Sequence, residues 1–212
     1  MPGVINCTLC GTVAEFYSFF REINYYSCSE CFAILMDPVS YLSKHEEKVR
    51  YDKHNNDVSD PGYRQFVEPL VDRIKFENNR NAVGLDYGAG PGPVASFLLQ
   101  EEGYRIKLYD PFYYPDQAVL ETQYDFIICC EVIEHFHFPY NQFVLLKSLL
   151  RPGGSLYCMT ELYNEEIEFE HWHYKNDPTH VFFYHRKTLE WIREKLCFSD
   201  LLVANRLIHF TL

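Results

Sequence analysis

Four cysteines near the start of the chain, Cys7, Cys10, Cys28 and Cys31, fall as two C-x2-C pairs separated by seventeen residues. Each pair can fold into a tight knuckle presenting two thiolates, and two knuckles supply the four ligands of a tetrahedral metal ion. Gly11, directly after the first pair, suits the turn that a knuckle needs. The spacing points to Zn2+, and four thiolates leave no open coordination position, so such an ion is structural. A rubredoxin-type iron site uses the same knuckles. Two disulfides are a further reading, although nothing in the sequence marks an oxidising compartment. Cys129, Cys130, Cys158 and Cys197 fall in expected strands or at a helix end, where a thiol acts as a small hydrophobe.

A second group is Asp86-Tyr87-Gly88-Ala89-Gly90-Pro91-Gly92-Pro93, set between an apolar run at 82–85 and an amphipathic segment at 94–100. This reads as a strand, a turn of glycines and a helix. Glycines at such a turn let backbone N–H groups approach a ligand where a Cβ would clash. The helix that follows turns its positive end toward an anionic group, and Pro93 suits its first turn. The dinucleotide pattern needs Gly or Ala at position 93, which is Pro here. Instead Gly88, Gly90 and Gly92 recur at every second residue behind an acid. A tight turn without a ligand is the plainer reading.

That spacing resembles motif I of the class I S-adenosylmethionine (SAM)-dependent methyltransferases, D/E-x-G-x-G-x-G. Further stretches follow in the same order. Ile106-Lys107-Leu108-Tyr109 reads as the next strand and ends in Asp110, 22 residues past Gly88. Residues 124–130 form an apolar strand running into Glu131-Val132-Ile133-Glu134-His135. This resembles the E-V-x-E-H segment of small-molecule methyltransferases related to quinone-biosynthesis enzymes. A helix at 141–150, Arg151-Pro152-Gly153-Gly154 and a strand at 155–159 repeat another hallmark of that family. The resemblance covers residues 82–196. It implies an α/β, Rossmann-like fold, with a mostly parallel sheet and a C-terminal antiparallel hairpin. It also implies SAM as cofactor. Asp86, Tyr87, Gly88, Ala89, Gly90 and Gly92 would surround its amino-acid end, and Asp110 with Pro111 its ribose. Glu131 and Val132 would border the adenosine or the sulfonium.

Acceptor chemistry is expected after residue 159. A stretch with five glutamates at 161–170 precedes His171-Trp172-His173-Tyr174-Lys175-Asn176-Asp177-Pro178-Thr179-His180. His180-Val181, ahead of Tyr184 and a helix at 187–195, resembles an H-V-x-x-(F/Y) step in the same family, in which a histidine often faces the transferred methyl. The resemblance therefore makes His180 a candidate base, and His135 is its competitor. A base that removes the acceptor proton adds ~10²–10⁴-fold to an in-line transfer that is otherwise largely a matter of positioning. Either histidine could instead orient a neighbour or cap a helix. His171, His173, His180 and Asp177 also invite a metal reading, though their spacing fits no familiar ligand pattern. The glutamate run reads as a solvated loop.

The elements that position these groups divide the chain into a zinc ribbon at 1–42, a helical linker or lid at 43–80 and a SAM-binding domain at 81–212. The linker reads as a short helix, then an Asn- and Asp-rich loop reaching residue 60. A helix at 62–76 follows, with Phe66, Val67, Leu70, Val71 and Ile74 on one stripe. Tyr51 and Tyr63 either line a lid or are surface aromatics. Only fourteen residues separate Asp110 from Asp125, too few for the helix and the third strand usual in this fold. Six strands are therefore expected, with Phe112, Tyr113 and Tyr114 stacking over adenine in place of the missing acid. Strands at 200–204 and 207–212 close the sheet.

Thirty acids against nineteen Lys and Arg give a formal charge of −11, with no basic cluster, which disfavours nonspecific nucleic-acid binding. No apolar run approaches the ~20 residues of a membrane span. The N-terminus lacks a signal pattern, so a cytoplasmic location is expected. The resulting expectation is a SAM-dependent methyltransferase acting on a small-molecule acceptor at oxygen or carbon. Two alternatives stay open: a nucleic-acid or protein methyltransferase that uses the ribbon for recognition, and a catalytically silent SAM-binding module. The ribbon is also a surface for a protein partner or a second copy.

Overall fold

The computed structural model describes residues 3–53 and 57–212. At the N-terminus β1 (Ile5–Asn6), β2 (Val13–Phe20), β3 (Ile23–Cys28) and β4 (Ile34–Met36) form an antiparallel meander. The β2–β3 hairpin turns on Arg21 (φ 49°) and Glu22 (φ 65°), two consecutive left-handed residues as a tight two-residue hairpin turn requires. α1 (Lys44–Tyr51) opens on a capping box in which the Ser43 hydroxyl and the Glu46 carboxylate satisfy each other's backbone N–H groups. Part of the expected polar loop, residues 54–56, lies outside the described residues. α2 (Pro61–Glu77) starts on the Asp60 cap with proline in its first turn, and buries Val67, Leu70, Val71 and Ile74.

The main sheet then builds from β5 (Val83–Tyr87), α3 (Val94–Glu101), β6 (Arg105–Tyr109), β7 (Tyr124–Cys130), α4 (Pro139–Ser148) and β8 (Leu150–Met159). After β9 (Phe182–Phe183) and α5 (Arg186–Lys195), the hairpin β10 (Asp200–Ala204) and β11 (Leu207–Thr211) completes it. Its spatial order is β10-β11-β8-β7-β5-β6. β6, β5, β7 and β8 run parallel, while β11 and β10 are antiparallel. Between β6 and β7 the chain makes only a 3-10 turn at Gln117–Glu121. The expected loss of a strand and a helix there is what the short interval forces. β8 starts earlier than expected, at Leu150: it continues through the Arg-Pro-Gly-Gly stretch and absorbs the irregularity as a register shift opposite Tyr124 and Phe126.

Both faces of the sheet are covered, so its central strands are apolar throughout. Along β7, Phe126 and Ile128 pack toward α2 and α3, while Ile127 and Cys129 pack into the core on the other face. That second core runs unbroken into the N-terminal meander. The reason is β9, which pairs with β4 at Leu35↔Phe182 and Ile34↔Phe183 and makes the small sheet five-stranded, β1-β2-β3-β4-β9. Among the described residues no helix is long and apolar enough to cross a membrane.

Close packing makes one glycine in β5 indispensable: a Cβ at Gly84 would lie 2.3 Å from the Phe126 ring. Gly84→Ala is expected to cost about 1–3 kcal/mol through overpacking. Urea unfolding measures this, and an unchanged midpoint would contradict the packing described.

Candidate active site

β5, β6 and β7 end together at a cavity of about 830 Å³, whose walls include Asp86, Tyr87, Gly88, Ala89, Gly90, Pro91, Gly92, Asp110, Pro111, Glu131, Val132, His135 and His180. Open α/β sheets place ligands outside the carboxyl ends of their strands, where strand order reverses. Here that point is β5, flanked by β6 on one side and β7 on the other. Of the residues expected around the cofactor all but Tyr114 line this one cavity, together with both candidate bases.

The glycine turn is held from two directions. Gly88 and Ala89 both donate their N–H groups to the Tyr109 carbonyl, at 2.8 and 3.1 Å. Gly88 sits at φ 82° and Gly90 at φ 61°, backbone that glycine adopts without strain. At Gly88 a side chain would also have no room: its Cβ would meet both Val132 methyl carbons at 2.7 Å. The Gly90 N–H donates to Asp110 Oδ2 at 3.0 Å, while Asp110 Oδ1 accepts from the N–H groups of Phe112 at 2.8 Å and Tyr113 at 3.0 Å. A carboxylate offers about four acceptor sites, so three backbone bonds leave Asp110 one more, on Oδ2. Asp86 is buried and accepts the Ser96 hydroxyl at 2.5 Å. Burial pushes its carboxyl up to about 6, against the Ser96 bond and with a contribution from the nearby Asp110 charge.

Aromatic residues cover the cavity. Phe112 and Tyr113 line it, whereas Tyr114 turns back to exchange backbone hydrogen bonds with Asp110, both at 3.0 Å, and is not among the lining residues. Tyr51 and Tyr63 also line it, from α1 and α2. α1 lines the cavity with Lys44, Glu47 and Tyr51 and is tied to the body there: Tyr113 OH donates to Asp52, just past the helix, at 2.7 Å, Arg50 pairs with Asp177 at 2.7 Å, and Glu47 meets His137 at 3.0 Å.

His135 and His180 approach each other with ring centroids 4.9 Å apart. His135 Nδ1 lies 2.8 Å from the Thr179 carbonyl and His180 Nδ1 2.7 Å from the Tyr174 carbonyl. A carbonyl can only accept, so both rings carry hydrogen on Nδ1, and Nε2 is the basic nitrogen of each neutral ring. Beside them Glu134 is fully buried, accepts the Tyr174 hydroxyl, and leaves Oε2 without a hydrogen-bond partner among the described residues. Glu131, in left-handed backbone at φ 53°, pairs with Arg206 at 2.5 Å, and Arg206 also holds Glu161 at 2.7 Å. Burial pushes both carboxyls up, Glu131 further by the Glu134 charge beside it. Glu134, His135 and His180 each offer a ligand atom within 4.8 Å of the others. His171 and His173 belong to no such group: both are exposed, against Glu168 and Glu161. The sequence reading missed Arg206, Tyr174 and Glu161, which no local motif marks. Glu134 stood within the quoted E-V-x-E-H segment, and that position, in the short turn closed by the His135 N–H to Val132 carbonyl bond, was its available signal.

Away from the cavity, the four N-terminal cysteine sulfurs lie within 4.8 Å of one another, with Cys7 Sγ 3.5 Å from Cys31 and Cys10 Sγ 3.4 Å from Cys28. A disulfide would need ~2.05 Å. A tetrahedral ion with ~2.3 Å bonds to sulfur sets its ligands ~3.8 Å apart. The Cys31 thiol's hydrogen bond pulls Cys7 down to about 6, while burial pushes Cys28 up to about 11. Four clustered thiols cannot all ionise alone; a divalent cation removes that conflict, so this donor set fits one.

Strand order, glycine turn and the acids at the tips of β5 and β6 define a class I SAM-dependent methyltransferase. The chain belongs to the family described as "Methyltransferase domain", whose model matches residues 34–201. It is 34% identical over 86 residues to the ubiquinone biosynthesis O-methyltransferase of Erwinia tasmaniensis, a match covering 38% of this chain and 33% of that protein. The matched chain thus spans about a third of that curated relative's length. The fold is similar to the Burkholderia thailandensis 1,6-didemethyltoxoflavin-N1-methyltransferase, solved with bound 1,6-didemethyltoxoflavin and S-adenosylhomocysteine. The TM-score is 0.55 at 15% identity, over 93% of this chain and 99% of that one. An O-methyltransferase family protein from the same organism gives a TM-score of 0.52 at 12% identity, over 78% and 61%.

Asp86 has a measurable signature. Its carboxyl titrates near 6 when folded and near 3.9 when unfolded. The folded state therefore holds the extra proton, and its stability falls as pH rises from about 4 to about 6, then levels off. Asp86→Asn is expected to remove this slope, a difference of about 2–3 kcal/mol across that window. Chemical denaturation of both proteins at pH 4.5 and 7 tests it; parallel pH profiles would refute the assignment.

Proposed function

We propose that the protein transfers a methyl group from SAM to a hydroxyl or carbon of a small-molecule acceptor. The observation carrying this reading is the convergence of glycine turn, Asp110 and two Nδ1-protonated histidines on one cavity. SAM, when bound, supplies a methyl group activated by a sulfonium leaving group. The protein's part is to bind, align and accept a proton. Ionised Asp86 attracts the ammonium of the amino-acid end, and the glycine turn, whose Gly88, Ala89 and Gly90 N–H groups are bonded to Tyr109 and Asp110, gives that end room free of side chains. The remaining acceptor site of Asp110 takes a ribose hydroxyl. Phe112 and Tyr113 flank the base, substituting for the acid that the shortened β6–β7 interval cannot hold. His180 Nε2 accepts the proton of an acceptor hydroxyl, with His135 beside it orienting the acceptor.

One observation favours a second reading of the acceptor side. The Glu134, His135 and His180 ligand atoms, within 4.8 Å of one another, suit a divalent cation. A cation there would acidify an acceptor hydroxyl, and the histidines would be ligands rather than bases. The four N-terminal cysteines are assigned to Zn2+ in a closed, structural site.

Titration calorimetry with SAM should give saturable binding that Asp110→Asn weakens by about 10–100-fold, since the amide turns a donor toward the Gly90 N–H. No binding to the folded wild type would overturn the function. On a panel of phenols and quinols, His180→Gln should lower kcat about 10²–10⁴-fold with SAM affinity retained. Binding without turnover across the panel would favour a silent module. Activity that requires added Mg2+ or Mn2+ would favour the cation reading. Elemental analysis should find one zinc per chain; iron there would correct the assignment.

A further inference from the structure

Residues 179–181 carry one candidate base, contact the other, and are gripped from two sides. On the cavity side the Val181 N–H donates to the Glu134 carbonyl at 2.9 Å, and the Thr179 carbonyl accepts the His135 Nδ1–H at 2.8 Å. On the opposite side the Met36 N–H donates to the Val181 carbonyl at 2.9 Å, and β4 pairs with β9 over the next two residues. β4 starts three residues after Cys31, and the second cysteine knuckle is closed by Phe32 N–H and Cys28 N–H bonds to the Cys28 and Ala33 carbonyls, both 2.9 Å. Phe32, between knuckle and strand, is a non-glycine residue at φ 60°, a conformation held only where its surroundings enforce it. From Cys31 through Met36 every residue except Phe32 is buried, as are Val181, Phe182 and Phe183. No water stands ready to replace a lost partner, so a displaced knuckle displaces β4, and β4 displaces β9. The cofactor cradle lies elsewhere, tied to itself through Asp110, Gly90 and the Tyr109 carbonyl.

We propose that the four-cysteine site is a positioning device for the acceptor side of the cavity: the metal-closed knuckle fixes β4, β4 fixes β9, and β9 fixes His180 and, through Thr179, His135. The proposal rests on the acceptor-side reading of His180. Its consequence is a split: loss of the metal disables the acceptor side while the SAM side still binds. β4 itself packs in the common core, but the knuckle before it is closed by the four clustered sulfurs, so the knuckle's order depends on the ion.

The test uses the full chain with Cys10→Ser, which removes a ligand, and Cys10→His, which supplies another. Metal content, SAM affinity by calorimetry, hydrogen exchange at Val181–Phe183 and the ¹⁵N-imidazole tautomer signature of His180 are measured on each. In Cys10→Ser we expect metal loss, retained SAM affinity, accelerated exchange at 181–183, loss of the Nδ1–H signature and a fall in kcat of about 10²-fold. Cys10→His should restore all of these. Unchanged exchange and His180 signature in metal-free Cys10→Ser would overturn the proposal, as would a loss of SAM affinity in step with them. Should Cys10→Ser not fold, Phe183→Ala keeps the four cysteines and loosens the β4–β9 contact. It should keep its metal and SAM affinity yet lose the His180 signature, and an unaltered signature there overturns the proposal too. If His180→Gln leaves turnover intact, the base reading fails, while exchange and tautomer still decide the coupling.

Discussion

One carboxylate holds the ends of β5 and β6 together. Asp110 accepts three backbone N–H groups from two different loops, Gly90 on one side and Phe112 and Tyr113 on the other. The glycine turn after β5 and the aromatic loop after β6 are thereby set to each other by a charged acceptor rather than by apolar packing. Charge-assisted bonds of this kind are stronger than neutral ones. The cradle's second lock is steric: Val132 fills the space that a Cβ would need at Gly88. The ends of β5, β6 and β7 are therefore fixed by contacts among themselves, and the cavity's floor needs little from the rest of the chain.

Much of this was legible in the sequence, because the residues concerned act locally. A glycine that must adopt φ 82° and a strand that must be apolar on both faces leave direct traces in residue type. Set against the fold that the resemblance implies, the fourteen-residue interval between Asp110 and Asp125 was too short for one strand and its helix. The C-x2-C pairs announced a four-sulfur cluster in the same way. What the sequence did not disclose depends on long-range return of the chain. Arg206 sits at the tip of the last hairpin, 75 residues beyond the Glu131 that it pairs with. β9 is two residues long, too short for any periodic signal, yet it joins the N-terminal meander to the rest of the fold. Tyr114 resembled its neighbours Phe112 and Tyr113, but backbone pairing with Asp110 takes it away from the cavity.

The part of the cavity around Glu131 and Glu134 is built on a different principle from the glycine turn. Glu131, Glu134 and Glu161 gather around Arg206 and Tyr174, and Glu134 is fully buried. Three carboxyls facing one guanidinium leave an excess of negative charge in poor solvent, which is why burial holds the Glu131 and Glu134 carboxyls above their usual range. Such a network is favourable only when each member is satisfied. Glu131 Oε1 and Glu134 Oε2 have no hydrogen-bond partner among the described residues, and a protonated carboxyl leaves such an oxygen buried at less cost than a charged one.

The helix α1 along the cavity wall has a different character again. No side chain of α1 is fully buried, and Glu47, Arg50 and the following Asp52 hold it to the body through polar contacts. The two ion pairs are half-buried, with Asp177 and Glu47 each keeping 13% of their side-chain surface, so salt screens them less than it screens a surface pair. Tyr51 adds ring contacts to Phe112 at 5.8 Å and His135 at 5.4 Å, so the helix is held by aromatic packing at its C-terminal end and by charge along the rest of its length.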